Sequence, residues 1–186
     1  MSADSASASP RCASSAFVSA TASATASGAP IAASRARKLS REDIDEQMAL
    51  VRQAVAEFVR GEHCARHWLS LADTANMAET LAAARLGAGE EVDQVIQHAQ
   101  QVLHDVHQRH ASTGSWTLYA DEIDALLWLA PLHEVQLDAC NYRQFETAYR
   151  RTAQRMAQAL AGNAAPGARV IVGQIDSTAA PAAAGA

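Results

Sequence analysis

Residues 62–86, EHCARHWLSLADTANMAETLAAARL, are predicted to form a helix at the centre of the molecule. Large apolar side chains recur through this stretch at helical spacing, and alanines occupy much of the remaining surface. A helix that is apolar on most of its sides is normally buried among other helices. The alanines would let those neighbours approach closely, and Gly87 is a natural end for the helix.

Two helices are predicted to flank this central one. The first begins after Ser40, whose hydroxyl can cap the backbone near Asp43, and it ends at Gly61. The third helix of the chain follows Gly89, carries a regular stripe of Val, Ile and Leu, and ends in the polar residues 112–115.

Two more helices complete the predicted bundle. The fourth begins near Asp121, and Pro131 is expected to kink or split it near Leu127. Asn141 and Gln144 have the spacing of a capping box that would start the fifth helix. Because the links between these helices are short, neighbouring helices should run antiparallel. The sequence thus predicts an all-α bundle of about five helices over residues 41–161.

The two ends of the chain have a different composition. Residues 1–40 are mostly Ala, Ser and Thr, and such a stretch buries too little apolar surface to offset its ordering entropy. We therefore predict a disordered arm over 1–40 and a flexible tail over 162–186. Within that tail, residues 169–175 resemble a short strand and are a candidate docking segment.

Charge and cysteine content limit the possible functions. Residues 41–161 hold ten Arg against eighteen Asp and Glu, a net charge of −8, which argues against non-specific nucleic-acid binding. Three cysteines cannot form a complete disulfide framework and favour a reducing cytoplasm. No apolar run approaches the length of a membrane-spanning helix, and the N-terminus lacks the pattern of a secretory signal.

Several polar residues fall inside or beside the apolar stripes, where they would form a polar core network. They are Asp73, Asn76, Glu79, Arg109, His110, His133 and Glu134. A buried carboxylate needs a partner or a raised pKa, so we expect these groups to pair and to fix the register of the helices. The alternative is an acid–base pair that joins His133 to Glu79 or Glu134.

The histidines allow a second hypothesis, a metal-binding protein or metal-dependent enzyme. His104, His107 and His110 are spaced three residues apart on one helix, so adjacent pairs could share an ion. A larger set would combine His110 and His133 with Glu79 and Glu134. However, the chain has no metalloprotease motif, no nucleophile motif and no phosphate loop, and the sequence predicts neither a catalytic residue nor a cofactor.

Two surfaces are candidates for binding. Trp128, Leu132 and Val135 give the fourth helix a second apolar side, which favours a central position or a homodimer interface. The fifth helix has a basic side formed by Arg143, Arg150, Arg151 and Arg155. That side could serve a nucleic-acid accessory protein, but a solvated face or a patch for an acidic partner is the simpler interpretation.

Three stretches carry a family resemblance: residues 68–76 (WLSLADTAN), 116–118 (WTL) and 133–137 (HEVQL). They resemble small helical proteins of proteobacterial genomes, prophages and plasmids, a group without an assigned activity. The resemblance covers residues 45–161 and implies only a bacterial or mobile-element setting. We therefore predict a non-enzymatic, cytoplasmic accessory or regulatory protein that binds another protein, with a second copy of itself as the first candidate.

Overall fold

The computed structural model describes residues 36–61, 64–87, 89–164 and 169–173. These residues form α1 (Arg41–Arg60), α2 (Ala65–Ala83), α3 (Glu90–Thr113), α4 (Ala120–Ala139) and α5 (Tyr142–Leu160), and no strand is present among them. The predicted all-α bundle is confirmed. The disorder predicted for the N-terminal arm and for the end of the tail falls on residues 1–35 and 174–186, which lie outside the described residues.

Helix α2 occupies the centre, as its composition predicts. It packs against α1, α3, α4 and α5, whereas α5 packs mainly against α2. Trp68, Leu71, Ala75, Ala78 and Leu81 are completely buried along α2. Because small residues alternate with large ones, neighbouring helices can pack on several sides of α2 at once.

The helix ends follow from capping. At the start of α1, the Asp43 backbone N–H donates to Ser40 Oγ at 3.2 Å, and the Ser40 N–H donates to Asp43 Oδ2 at 2.8 Å. Asn141 and Gln144 form the same reciprocal pair at α5, both at 2.9 Å. Both caps had been predicted from the sequence. Gly61 ends α1 in the left-handed conformation, with φ of +76°.

Helix α4 continues through Pro131, so of the two predicted effects of the proline, a kink or a split, the split is wrong. A proline removes one backbone donor and leaves the carbonyl four residues earlier, that of Leu127, without its helical partner. Pro131 and Leu127 are both exposed, so water can hydrate the carbonyl that the proline leaves unpaired.

The ordered structure extends beyond residues 41–161 at both ends. The Leu39 N–H donates to the Cys140 carbonyl at 3.3 Å, and the Tyr142 N–H donates to the Arg37 carbonyl at 3.0 Å. This short antiparallel contact holds the entry to α1 against the link between α4 and α5. Residues 169–173, which belong to the predicted tail, lie against α2 and α3.

Candidate functional site

An exposed apolar surface on α4 is the strongest candidate for a functional site. Trp128 is 68 % exposed and Val135 is 65 % exposed. The two residues lie on the same face of the helix, two turns apart. Leu132, which lies between them, is only half-buried and packs against the core. Of the three residues predicted as an interface, Trp128 and Val135 are therefore about two-thirds exposed, whereas Leu132 packs against the core.

A groove between α1 and α4 lies beside this surface. It has a volume of about 530 Å³ and a predominantly apolar lining that comprises Met48, Arg52, Val55, Ala56, Val59, Arg60, Leu127, Ala130, Pro131 and Glu134. Helical phase predicts Leu127 on the same apolar stripe as Leu126 and Ala130, but it is exposed at the edge of the groove. We call the exposed residues Leu127, Trp128 and Val135, together with this groove, the α4 surface.

The charged residues at the groove are paired within the chain. Glu134 accepts from Arg41 Nη2 at 2.6 Å and from Arg52 Nη2 at 2.8 Å. The hydrogen bond from Arg52, and to a smaller extent the one from Arg41, lowers the pKa of the Glu134 carboxyl below its ordinary value. Arg60, also in the lining, pairs with Glu57 on its own helix. The prediction that Glu134 belongs to a core network is wrong, because its position at the α1–α4 edge brings it to surface arginines.

Glu79 has a different partner from the ones expected. It accepts from Arg155 Nη2 at 2.6 Å and from Gln100 Nε2 at 3.3 Å. Arg155 also donates to Thr80 Oγ1 at 3.1 Å. Arg155 is therefore not part of an exposed basic patch, because α5 turns it toward the carboxylate on α2.

The predicted polar core network is thus not a single network. Arg109 binds the buried Glu122 through Nη2 at 2.6 Å and through Nη1 at 3.1 Å, far along the bundle from Glu79. This ion pair raises the pKa of the Arg109 guanidinium. Helical phase shows which side of a helix a residue occupies, but it does not show which neighbour that side meets, so these pairings could not be read from the sequence.

The two inward histidines lie in separate environments. His110 stacks on Trp116 with 3.8 Å between ring centroids, and its Nδ1 is buried without a partner among the described residues. His133 is 6 % exposed, and burial lowers its pKa to about 4, so it is neutral at pH 7. Its Nδ1 likewise has no partner in the described part of the chain.

The remaining members of the predicted network also act separately. Asn76 pairs with the backbone of Ile171. Asp73 is half-buried on α2, and burial raises its pKa to about 6. The strand-like character of residues 169–175 was the one signal for the Asn76 contact that could be found before the structure.

No metal-ligand set of three or more His, Cys, Asp or Glu residues exists within the described ranges. Glu79 and Glu134 are held by different arginines, and His110 and His133 are held by different packing. The convergence that a metal-dependent enzyme would need is therefore not found in that part of the molecule. Cys140 is buried, and burial raises the pKa of its thiol to about 11.

The basic side of α5 is smaller than predicted. Arg143, Arg150 and Arg151 are exposed, and Arg150 pairs with Glu146. Because Arg155 faces Glu79, the four arginines do not form one patch, which weakens the electrostatic case for nucleic-acid binding. None of the helices in the described residues is long and apolar enough to cross a membrane.

Comparisons with known proteins add no relative. No protein-family model matches the sequence, and no curated protein or solved structure is significantly similar to it. The functional argument therefore depends on the sequence and the geometry of the chain itself.

Proposed function

We propose that this protein is non-enzymatic and works in the cytoplasm by binding a second copy of itself through the α4 surface. The observation that carries the proposal is the exposure of Trp128 and Val135 on a helix that buries polar residues on its other side. Exposing large apolar side chains to water is unfavourable, and a contiguous set of them is typical of a protein-binding site. Tryptophan is also among the residues that contribute most to interface energetics.

We infer a second copy as the occupant because this surface combines a projecting apolar side chain with an apolar groove. In a two-fold symmetric dimer, the same patch on each subunit must contact itself. The α4 surface offers the exposed indole of Trp128 and an apolar groove of about 530 Å³ whose lining includes the adjacent residue Leu127. Two copies with antiparallel α4 helices would each insert Trp128 toward the other's groove.

The charges at the groove support an apolar occupant. Glu134 is bound to Arg41 and Arg52, and Arg60 is bound to Glu57, so these groups need no counter-charge from a partner. A strongly charged ligand would have to displace an existing ion pair, whereas an apolar side chain would not. The length of α4, 20 residues, corresponds to about 30 Å of helix along which two copies could pack.

The setting follows from the sequence resemblance. It supports an accessory or regulatory role in a bacterium, a prophage or a plasmid rather than a metabolic reaction. A dimer would then present two identical binding surfaces to a further protein.

Light scattering over a range of protein concentrations tests the proposal. The wild type should approach twice the monomer mass, 19.6 kDa for one chain, as concentration rises. Trp128→Ser should remain monomeric with an unchanged circular dichroism spectrum, because the indole is largely exposed in the monomer. Leu50→Ser is the matched control, since Leu50 is an exposed apolar residue of α1 that does not line the groove.

A wild type that stays monomeric at the highest soluble concentration would contradict the proposal. Equal weakening of the dimer by Leu50→Ser and by Trp128→Ser would contradict the assignment of the surface.

A further inference from the structure

We propose that the groove between α2 and α3 is a binding site for an extended peptide, and that residues 169–173 occupy it as an internal ligand. A partner's peptide with the same chemistry can displace them. The site, which we call the peptide groove, is formed by Trp68 and Asn76 of α2 and by Gln100 and His107 of α3. It is separate from the α4 surface and does not depend on dimerisation.

Asn76 recognises the backbone of the bound segment. Its Nδ2 donates to the Ile171 carbonyl at 2.8 Å, and its Oδ1 accepts from the Ile171 N–H at 3.0 Å. The side-chain amide thereby pairs with one residue of the segment as a neighbouring strand would. Both hydrogen bonds are buried, and both involve only main-chain atoms of the segment, so they would form with any extended peptide in this position.

The side chains that follow set the selectivity. Ile171 is the buried residue of the segment, which defines a site for an aliphatic side chain. Two residues later, a Cβ atom on Gly173 would lie 2.5 and 2.7 Å from carbons of the Trp68 ring. The peptide groove therefore selects an aliphatic residue followed, after one intervening residue, by glycine.

The other contacts of the segment are weak, which makes it displaceable. Gln100 Nε2 donates to the Arg169 carbonyl at 3.3 Å, and Arg169 Nη1 donates to Gln97 Oε1 at 3.4 Å. Both distances are beyond the optimum for such bonds. Moreover, Gln100 Oε1 is buried and accepts no hydrogen bond from the described residues, so a partner peptide could supply the missing donor.

The covalent link explains why the internal segment occupies the site. Leu160 ends α5 and Arg169 begins the docked segment, so eight residues connect them. A link of that length gives the segment a high effective concentration at the groove, on the order of millimolar. A separate peptide must compete with the internal segment. The apparent affinity of that peptide equals its intrinsic affinity multiplied by the fraction of molecules whose groove is open.

Fluorescence anisotropy with a labelled, end-capped peptide of sequence Arg-Val-Ile-Val-Gly tests the proposal on the full chain. Ile171→Asp removes the internal anchor and should increase peptide affinity at least about tenfold over the wild type, because the groove is then free. Val170→Asp is the matched control, since it adds the same charge at a half-buried position next to the anchor. This variant should keep the weak peptide binding of the wild type. Adding Asn76→Ala to Ile171→Asp should abolish the gain.

Peptide variants test the selectivity. Replacing the glycine of the peptide by valine, or its isoleucine by aspartate, should remove saturable binding to the Ile171→Asp chain. If that chain keeps its helical spectrum but binds the original peptide no better than the wild type does, the proposal is wrong. Equal binding of the valine-substituted peptide would overturn the assigned register.

Hydrogen exchange on the wild type provides a second measurement, which does not depend on the folding of any variant. A saturating excess of unlabelled peptide should increase exchange at the Ile171 amide while leaving the amides of α1 and α4 unchanged. If the Ile171 amide stays protected, the internal segment is not displaceable. A wild-type dimer that Asn76→Ala dissociates but Trp128→Ser does not would show instead that the groove is filled by the segment of a second copy.

Discussion

Helices α4 and α5 follow one another in the chain and have 20 and 19 residues, yet they distribute polar and apolar side chains in opposite ways. Helix α5 turns Arg143, Arg150 and Arg151 to solvent. Helix α4 instead buries Glu122, His133 and Gln136 while it exposes apolar residues on the other side. Helix α5 packs its apolar side mainly against α2 and exposes Tyr149 and Leu160 by 43 % and 54 %. Helix α4 contacts α1, α2 and α3, yet it exposes Trp128 and Val135 more strongly, by 68 % and 65 %. This difference is the basis of the proposal that a second copy covers the surface of α4.

The largest effect is expected from the buried histidine of α4. Burial lowers the folded-state pKa of His133 to about 4, and the unfolded chain has the ordinary value of 6.5. The unfolded state therefore binds the proton more tightly, so stability is highest above pH 6.5 and falls as the pH decreases toward 4. The loss amounts to about 3 kcal/mol, at 1.36 kcal/mol for each unit of pKa difference.

Urea denaturation at pH 7 and pH 4.5 measures this loss. In His133→Gln the same decrease in pH should cost less free energy of unfolding, because the titrating group is gone. If wild type and variant depend on pH in parallel, His133 does not titrate as a buried group, and the contrast between α4 and α5 loses its main support.

A smaller effect is expected from Gln136. Its Nε2 donates to the Ala78 carbonyl at 3.0 Å and to the Leu86 carbonyl at 3.4 Å, which ties α4 to the end of α2 and the following loop. Gln136→Leu should lower the free energy of unfolding by about 1–2 kcal/mol, because it removes the donor to buried carbonyls. The matched change on the outer side of α5, Gln154→Leu, should stay within about 0.5 kcal/mol of the wild type. Urea denaturation of both variants at pH 7 makes the comparison, and equal losses would contradict it.

The smallest effect should come from the inner side of α5. Thr152 Oγ1 donates to Thr80 Oγ1 at 2.8 Å, and the two threonines join α5 to α2. Thr152→Val keeps the shape of the side chain and removes this neutral hydrogen bond, so we expect a loss of about 1 kcal/mol. Thr147→Val, at an exposed position of α5, is the control. A loss at Thr152 larger than that at Gln136 would show that α5, rather than α4, depends more on its buried polar groups.

Particular residues show how much of the fold could be predicted. Ser40 with Asp43, and Asn141 with Gln144, define helix starts because each cap is a local interaction between residues three positions apart. The composition of residues 62–86 identified the central helix, since a helix with little polar surface has to be surrounded. Pro131 does not split α4, because its effect depends on whether the freed carbonyl meets solvent, which is a tertiary property.

The candidate site was predictable only in part. The stripe of Trp128, Leu132 and Val135 was visible from helical spacing, but the groove between α1 and α4 was not, because six of its ten lining residues come from α1. Glu79 and Glu134 were both assigned to one network from their phase. The structure gives them separate partners, Arg155 and the pair Arg41 and Arg52, on opposite sides of the bundle.

The sequence by itself determined the five helices, the caps that start α1 and α5, and the central place of α2, because these follow from periodicity and from contacts between residues close in the chain. It misplaced the end of α2, which lies at Ala83 rather than before Gly87. Only the tertiary structure decided which polar residues meet, that Leu127 faces solvent, and that Asn76 holds the backbone of Ile171 across 95 positions of sequence. Such pairings depend on the relative placement of whole helices, and local spacing carries no information about that placement.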